Sequence, residues 1–372
     1  MTNSNNFEVY FDCGTSKIRA CAFNKKDQKN NFHYESSFFF NHLNIKSEIQ
    51  KIISAMERDS REYLNDINLM IDSSKMLSIG ISISKKLDGL KLQKEDIQFL
   101  ILDAKQQILR NYHDQNITHI IIKKYKIDNI EYTFLPENIN CNLISLDIIF
   151  ICLPKEKIEY FKKIFFELDV SVAQIFCTSY AKSINYKDNY SMIDNVIFVD
   201  VGFNKTSINC FINNQVVFLD AILVGGNHIT KDISKVLKID LQESENLKIL
   251  FAKKQKIPNK EKSPDHLTQE IILARIEEIL ELCLKSIKLN LNLVTLDKCK
   301  VILIGEGSKI FNYRFKKENY FLKNIEIFEE TPEEICQSAF KLVKGLNKQE
   351  VVIIPKKQLK KGFFERLFLF FM

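Results

Sequence analysis

The chain has no tryptophan, only 10 glycines and 6 prolines among 372 residues, and no signal-like apolar stretch in its polar first residues, 1–6. No run of about 18 apolar residues occurs either, so the sequence predicts neither a signal peptide nor a transmembrane helix. With 45% apolar and 27% charged residues, the chain can form a full core, which excludes global disorder. Its length predicts two domains or one large bilobed domain.

Zinc-ligand spacing is also missing. None of the nine cysteines forms a C-x-x-C pair, and the six histidines are isolated, so a structural zinc site and Ser-His-Asp catalysis both lack support. The cysteines lie mostly in apolar runs, which predicts reduced, buried thiols. The net charge of +6 is modest and the basic residues are not interleaved with aromatics, so no nucleic-acid partner is predicted.

Two distant segments, 9–17 and 197–206, are alike: each is an apolar strand that enters an Asp-x-Gly turn, and another apolar strand follows. Backbone N–H groups at such a turn form a nest for phosphate, and Asp12 or Asp200 can hold hydrated Mg²⁺ through water. An ordinary hairpin turn would explain one copy. Two copies predict duplicated half-domains that close on one nucleotide, with Asp12 and Asp200 facing each other across the cleft.

Two further glycine turns fit the same scheme. Gly225-Gly226-Asn227 precedes a predicted helix at 230–237, a good phosphate-facing helix start. Gly305-x-Gly307 follows a predicted buried strand at 301–304. Glu245 and Lys248 lie one helical turn apart and, taken alone, are better explained as a surface ion pair.

Hydrophobic periodicity predicts the other elements. Helical spacing covers residues 45–66, and a compact α+β module of strands and two helices spans 85–168. A long helix is predicted at about 267–291 and a final helix at 333–346, with an exposed lysine-rich loop at 251–265.

Residues 362–372 are mostly large and apolar, and four lysines of the segment 347–361 come just before them. Eleven residues rise only about 16 Å as a helix, too little to span a bilayer. The pattern favours an amphipathic helix on an anionic membrane surface over a segment that docks on its own core. The residues predicted to enter the membrane are Phe363, Phe364, Leu367, Phe368, Phe370 and Phe371.

The order of these motifs resembles the actin/Hsp70/sugar-kinase ATPase superfamily and, within it, the FtsA family of bacterial cell-division proteins. The run at 224–233, Gly-Gly-Asn followed by Ile-Thr-Lys-Asp-Ile, is similar to a fairly specific FtsA segment. The similarity covers nearly the whole chain. It implies an α/β, actin-like bilobed ATPase fold with an inserted α+β subdomain and a C-terminal amphipathic helix.

The resemblance implies a nucleotide-binding tether rather than an enzyme, with at most weak ATPase activity. It implies ATP and Mg²⁺ as cofactors, and as partners the C-terminal peptide of FtsZ, further copies of the chain, later divisome membrane proteins and anionic lipid. It places the protein at the division septum, on the cytoplasmic face of the inner membrane, with Arg275 as a candidate contact for FtsZ. The implied nucleotide-binding residues are Asp12, Gly14, Thr15, Ser16, Lys17, Asp200, Gly202, Thr206, Gly225, Gly226, Asn227, Glu245, Lys248, Gly305 and Gly307.

The resemblance also implies a division of the chain. The segments are the first lobe at 1–84 and 169–194, the inserted subdomain at 85–168, the second lobe at 195–240 and 300–346, its FtsZ-binding subdomain at 241–299, the linker 347–361 and the membrane helix 362–372.

The chain departs from the family pattern at its second phosphate loop. Phe203-Asn204-Lys205 replaces Gly-Gly-Thr, and Ser207 stands where an acidic residue is usual. Glu306 occupies a position in the third turn where small residues are usual. Phe fits poorly where backbone approaches phosphate. We therefore expect weak or absent ATP hydrolysis with some ATP binding, and Lys205 as a possible phosphate contact.

Two alternatives remain. A pilus-assembly type of actin-like scaffold shares the fold and an inserted subdomain, but a membrane helix at its end is not expected. A sugar kinase needs a catalytic Asp over a second substrate pocket, and a chaperone needs a further substrate-binding domain; the sequence indicates neither.

Overall fold

Three β-sheets organise the protein in a computed structural model that describes residues 6–26, 29–38, 45–136, 138–253, 264–312 and 325–344. The predicted linker 347–361 and membrane helix 362–372 lie outside the described residues. Within the described ranges, no helix has the length and apolar character that a membrane span requires.

The first sheet has the strand order β3-β2-β1-β4-β9. Strand β1 pairs antiparallel with β2 and parallel with β4, and β4 pairs parallel with β9. The strands are β1 Phe7–Cys13, β2 Lys17–Asn24, β3 Asn30–Ser37, β4 Asp66–Ile71 and β9 Ser171–Cys177.

The second sheet repeats this arrangement with the order β12-β11-β10-β13-β14. Strand β10 pairs antiparallel with β11 and parallel with β13, which pairs parallel with β14. The strands are β10 Val196–Val201, β11 Thr206–Ile212, β12 Gln215–Ile222, β13 Lys300–Ile304 and β14 Ile325–Ile327. The duplication inferred from the two Asp-x-Gly turns is therefore present as two sheets of the same order and pairing.

The third sheet belongs to a smaller inserted unit, with the order β5-β8-β6-β7 and antiparallel pairing throughout. Its strands are β5 Leu77–Lys86, β6 Gln115–Ile127, β7 Ile130–Tyr132 and β8 Leu143–Pro154. The sheet begins at Leu77, before the expected start at residue 85, because β5 pairs along β8 rather than with the first sheet.

The described helices are α1 Ile45–Ser60, α2 Lys94–Asn111, α3 Lys155–Phe166, α4 Thr178–Lys187, α5 Gly226–Leu237, α6 Leu241–Lys253, α7 Pro264–Asn290, α8 Leu293–Leu296 and α9 Pro332–Val343, with short 3-10 turns at Asp188–Tyr190 and Glu306–Asn312. The helix expected to reach residue 66 ends at Ser60, because Arg61 adopts a left-handed conformation (φ 58°), and the following strand β4 was missed. Because the residue in that conformation is not glycine, the sequence does not mark this position as the end of a helix.

The apolar clusters show which element packs where. Buried residues of α3, α4 and α9 share one cluster with the first sheet and one face of the second sheet, which makes this the core between the lobes. Helix α3, expected in the inserted module, therefore contributes its buried face to the first lobe. Helices α5, α6 and α7 cover the opposite face of the second sheet. Helix α2 packs on the third sheet in a separate core.

Candidate functional site

The two Asp-x-Gly turns open into one cavity of about 530 Å³ between the lobes. They have the same backbone geometry: Gly14 N–H donates to the Lys17 carbonyl and Gly202 N–H to the Lys205 carbonyl, both at 2.9 Å. Strands β1 and β10 deliver Asp12 and Asp200 to this cavity because both strands end at its rim. The predicted residues that line it are Asp12, Gly14, Thr15, Ser16, Lys17, Asp200, Gly202 and Gly305.

Asp12 is held by a buried arginine that the sequence reasoning did not single out. Arg19 Nη1, on the neighbouring strand β2, lies 3.1 Å from Asp12 Oδ2, and the Thr178 hydroxyl of α4 donates to Asp12 Oδ1 at 3.0 Å. Burial raises the pKa of Asp12, and the Arg19 and Lys182 charges lower it only in part, so it stays above its ordinary value. The register explains the missed contact, since Asp12 and Arg19 are direct cross-strand partners.

Asp200 has a matching cation, Lys182 of α4. Lys182 Nζ lies 2.9 Å from Asp200 Oδ2 and 2.9 Å from Glu330 Oε1, and the three side chains are only 5%, 9% and 5% exposed. Burial lowers the pKa of Lys182, but the two carboxylates outweigh this effect and leave it above its ordinary value. Glu330 also accepts a hydrogen bond from the Gly305 N–H at 2.7 Å. This buried triad joins α4, β10 and the segment before α9.

Two of the residues that depart from the family pattern form ion pairs across the cleft. Lys205 Nζ, expected to face a phosphate, lies 3.1 Å from Asp72 Oδ2 of the first lobe and also donates to Ser207. Glu306 Oε1 lies 3.3 Å from Lys17 Nζ and 3.3 Å from Arg19 Nη2. These residues are therefore matched to charges on the opposite lobe.

The second phosphate loop packs directly on the Gly-Gly-Asn turn. Gly226 N–H donates to the Gly202 carbonyl at 3.0 Å, and Asn227 N–H donates to the Phe203 carbonyl at 2.7 Å. A Cβ at Gly225 would lie 2.5 Å from the Gly202 oxygen, so only glycine permits this approach. The first N–H groups of α5, which were expected to face phosphate, are thus used by the protein's own loop.

Glu245 and Lys248 lie beneath this turn and are not surface residues. Lys248 Nζ contacts Glu245 Oε2 at 2.6 Å, the Thr230 hydroxyl at 2.9 Å and the Gly226 carbonyl at 3.1 Å. Burial lowers the pKa of Lys248, partly offset by Glu245. The Phe203 ring lies 5.7 Å from Lys248 Nζ and shields it. The surface-pair alternative is wrong for these two residues, although neither of them lines the cavity.

The remaining residues predicted to bind nucleotide pack against the backbone of the turns around the cavity. Thr206 is fully buried and donates to the Val224 carbonyl at 2.7 Å. Gly305 has φ +87°, and a Cβ there would lie 2.6 Å from the Val201 carbonyl oxygen and would also meet Asp200. Gly307 packs equally closely on Val201. These residues shape the cleft without lining it, apart from Gly305.

The donor set does not suit a hydrated Mg²⁺ between the two aspartates. Both carboxylates already contact a buried cation, and the cavity is lined by six basic and six acidic side chains, a balanced charge. Among the described residues, no group of three or more His, Cys, Asp and Glu side chains is arranged to hold a metal ion. The first loop lines the cavity with its Gly14 turn and the Thr15 and Ser16 side chains, whereas Lys17 is paired with Glu35 and Glu306.

Arg275 on α7 is engaged locally. Its Nη2 lies 2.6 Å from Asp232 of α5, and its Nη1 lies 2.5 Å from Glu278 one turn further on. Both acids belong to this chain, so the guanidinium charge of Arg275 is compensated in the absence of a partner. The predicted membrane residues, Phe363 to Phe371, lie outside the described residues.

Comparison with known proteins agrees with the resemblance. The family model described as "Cell division protein FtsA" matches residues 197–334, which include most of β10, the Gly-Gly-Asn turn and the third glycine turn. A protein of that description from Agrobacterium fabrum (strain C58 / ATCC 33970) is 22% identical over 301 residues, covering 76% of this chain and 67% of the relative. Other matched relatives carry the same description.

Solved structures show the fold. The PilM-PilN type IV pilus biogenesis complex matches with a TM-score of 0.64 at 10% identity, covering 88% of this chain and 89% of that chain. MreB5 of Spiroplasma citri bound to ADP matches with a TM-score of 0.51 at 11% identity, covering 92% and 98%. Both matches are to the actin-like fold, so the predicted α/β, actin-like fold is confirmed, whereas the predicted C-terminal amphipathic helix lies outside the described residues.

Proposed function

We propose that this chain, a relative of the FtsA cell-division proteins, links FtsZ filaments to the inner face of the cytoplasmic membrane and assembles with further copies of itself. The observation that carries the proposal is the sequence match to FtsA proteins across most of the chain, together with the two-lobed actin-like fold. Nothing in this role requires turnover of a nucleotide. We propose a structural protein that recruits later divisome proteins, binds ATP weakly and hydrolyses it slowly or not at all.

The geometry of the cleft supports weak nucleotide binding. Phosphate groups can reach the first loop, but Phe203 covers Lys248, and the α5 N–H groups are bonded to the second loop. A ligand would have to displace these contacts to reach Glu245. We expect isothermal titration with ATP to give weak affinity and a phosphate-release assay to give little turnover. Rapid hydrolysis would contradict this part of the proposal.

We propose that the FtsZ peptide binds the second-lobe subdomain at 241–299, with Arg275 as one contact. Because Asp232 and Glu278 already compensate Arg275, an acidic peptide must compete with them. Asp232→Asn with Glu278→Gln should therefore strengthen binding of the peptide, while Arg275→Gln should weaken it, measured by fluorescence anisotropy. Equal affinity for all three proteins would remove Arg275 from the interface. Absence of any binding by the unchanged chain would remove FtsZ as the partner.

We propose that residues 362–372 attach the chain to anionic lipid. Each large apolar side chain that leaves water contributes roughly 1.5–3 kcal/mol, and each nearby lysine adds about 1 kcal/mol on an acidic surface. Ordering the segment removes much of that gain, so attachment should be reversible and should strengthen when a polymer presents many tails. Flotation with liposomes should carry the full chain, whereas a chain that ends at Lys361 should stay behind. Equal flotation of both would refute this attachment.

A pilus-assembly scaffold is the second candidate, favoured by the fold match to the PilM-PilN complex. At 10% identity that match shows the fold alone, whereas the FtsA match rests on sequence. Peptide binding separates the two functions. Capture of the FtsZ C-terminal peptide supports the tether, and capture of a PilN-type peptide with no affinity for FtsZ supports the scaffold.

A further inference from the structure

Side chains of the protein compensate the charges of Asp12 and Asp200 without a metal ion. Arg19 and Lys182 each lie between two or three carboxylates, and both are nearly buried, with 8% and 5% of their side chains exposed. In the low dielectric of such a site, a buried carboxylate without a counter-charge would be costly. Arg19 of β2 supplies the counter-charge for Asp12, and Lys182 of α4 supplies the counter-charge for Asp200.

These cations also contact acids that follow two other strands of the second sheet, Glu306 after β13 and Glu330 after β14. Arg19 reaches Glu306 at 3.3 Å from the opposite lobe, and Lys182 joins Asp200 to Glu330 at 2.9 Å each. A divalent cation bridging two phosphate loops would make the same kind of connection. Two of the residues by which the sequence departs from its relatives, Glu306 and Lys205, take part in this cross-cleft pairing.

We infer that Arg19 and Lys182 take the electrostatic place of a divalent cation in this cleft, so that the closed cleft does not bind Mg²⁺ at Asp12 and Asp200. The inference concerns the cleft alone and does not depend on whether the chain binds FtsZ. Mg²⁺ is excluded because the position beside each aspartate is already filled by a nitrogen cation.

The direct test uses Mn²⁺ as a probe for divalent cations, with electron paramagnetic resonance to measure free Mn²⁺ during a titration of the full chain. We expect no saturable binding to the unchanged protein below about 1 mM. The variant Lys182→Met with Glu330→Gln removes one charge of each sign and leaves Asp200 without its cation. It should gain a site at least about tenfold tighter than any in the unchanged chain.

The matched control is Lys162→Met with Glu159→Gln, which removes an ion pair of the same residue types on the exposed face of α3. It should behave as the unchanged chain does. If the cleft variant does not fold, judged by circular dichroism, Arg19→Gln with Glu35→Gln frees Asp12 by the same logic and gives the same readout.

Saturable Mn²⁺ binding by the unchanged protein would overturn the inference. So would a folded cleft variant with no gain in Mn²⁺ affinity, because Lys182 would then not be what excludes the metal.

Discussion

Replacing Lys182 by methionine tests the buried triad at the centre of the cleft. The substitution keeps the length and apolar character of the side chain but removes the charge that lies 2.9 Å from both Asp200 and Glu330. Two carboxylates would then face each other in a site where neither is more than 9% exposed. Burial already raises the pKa of Glu330, and removal of Lys182 should raise it further, so that this carboxylate takes up a proton.

The expected loss in the free energy of unfolding follows from the burial of the pair. Breaking a buried ion pair by removing one partner costs about 3–5 kcal/mol, since the remaining charge is left uncompensated. Proton uptake by Glu330 should reduce the loss toward the lower end of that range. Adding Glu330→Gln should restore part of the stability, because the double variant leaves one carboxylate rather than two.

Urea unfolding of Lys182→Met, Glu330→Gln and the double variant would give this coupling as a double-mutant cycle. The exposed pair of Lys162 and Glu159 provides the comparison, with an expected coupling below about 1 kcal/mol. If Lys182→Met lowers the free energy of unfolding by less than about 1 kcal/mol, the triad behaves as a surface ion pair. That result would refute the conclusion that Lys182 is a buried counter-charge for Asp200 and Glu330.

Two further predictions follow from the cleft. Phe203→Gly should remove the ring that blocks the α5 side and raise the affinity for ATP about tenfold in isothermal titration; unchanged affinity would show that the ring is not the obstacle. Burial raises the pKa of Glu306, but Lys17, Lys309 and Arg19 outweigh it and hold the pKa below its ordinary value of 4.5. A carboxylate with a depressed pKa stabilises the fold above its ordinary pKa and loses this contribution as the pH falls through the folded-state value. Urea unfolding should therefore show Glu306→Gln less stable than the unchanged chain at pH 7, with the difference vanishing in acid; a gap of equal size at about pH 3 would contradict the pairing.

Local patterns in the sequence were sufficient to predict the duplicated halves. An apolar strand, an Asp-x-Gly turn and another apolar strand are contiguous features, and the structure turns the two copies into sheets of the same order. The facing of Asp12 and Asp200 across one cavity follows from that repetition. The prediction failed where the sequence contained no local signal. The helix end at Arg61 was not recognised, so strand β4 was missed. The pairing of β5 with β8 places the start of the inserted unit earlier in the chain than the sequence predicted.

The charges of the cleft were decided by the tertiary structure. Nothing in the sequence distinguishes Arg19 from other strand residues, and only the strand register places it opposite Asp12. Lys182 and Glu330 are far apart in the sequence, and the packing of α4 and of the segment before α9 brings both of them to the buried triad with Asp200. Sequence reasoning identified Lys205 and Glu306 as departures from a pattern, but it could not show what they contact, because their partners belong to the opposite lobe. Turn and strand patterns report on neighbours in sequence, whereas ion pairs form between residues that only the packing of two lobes brings within a few ångströms.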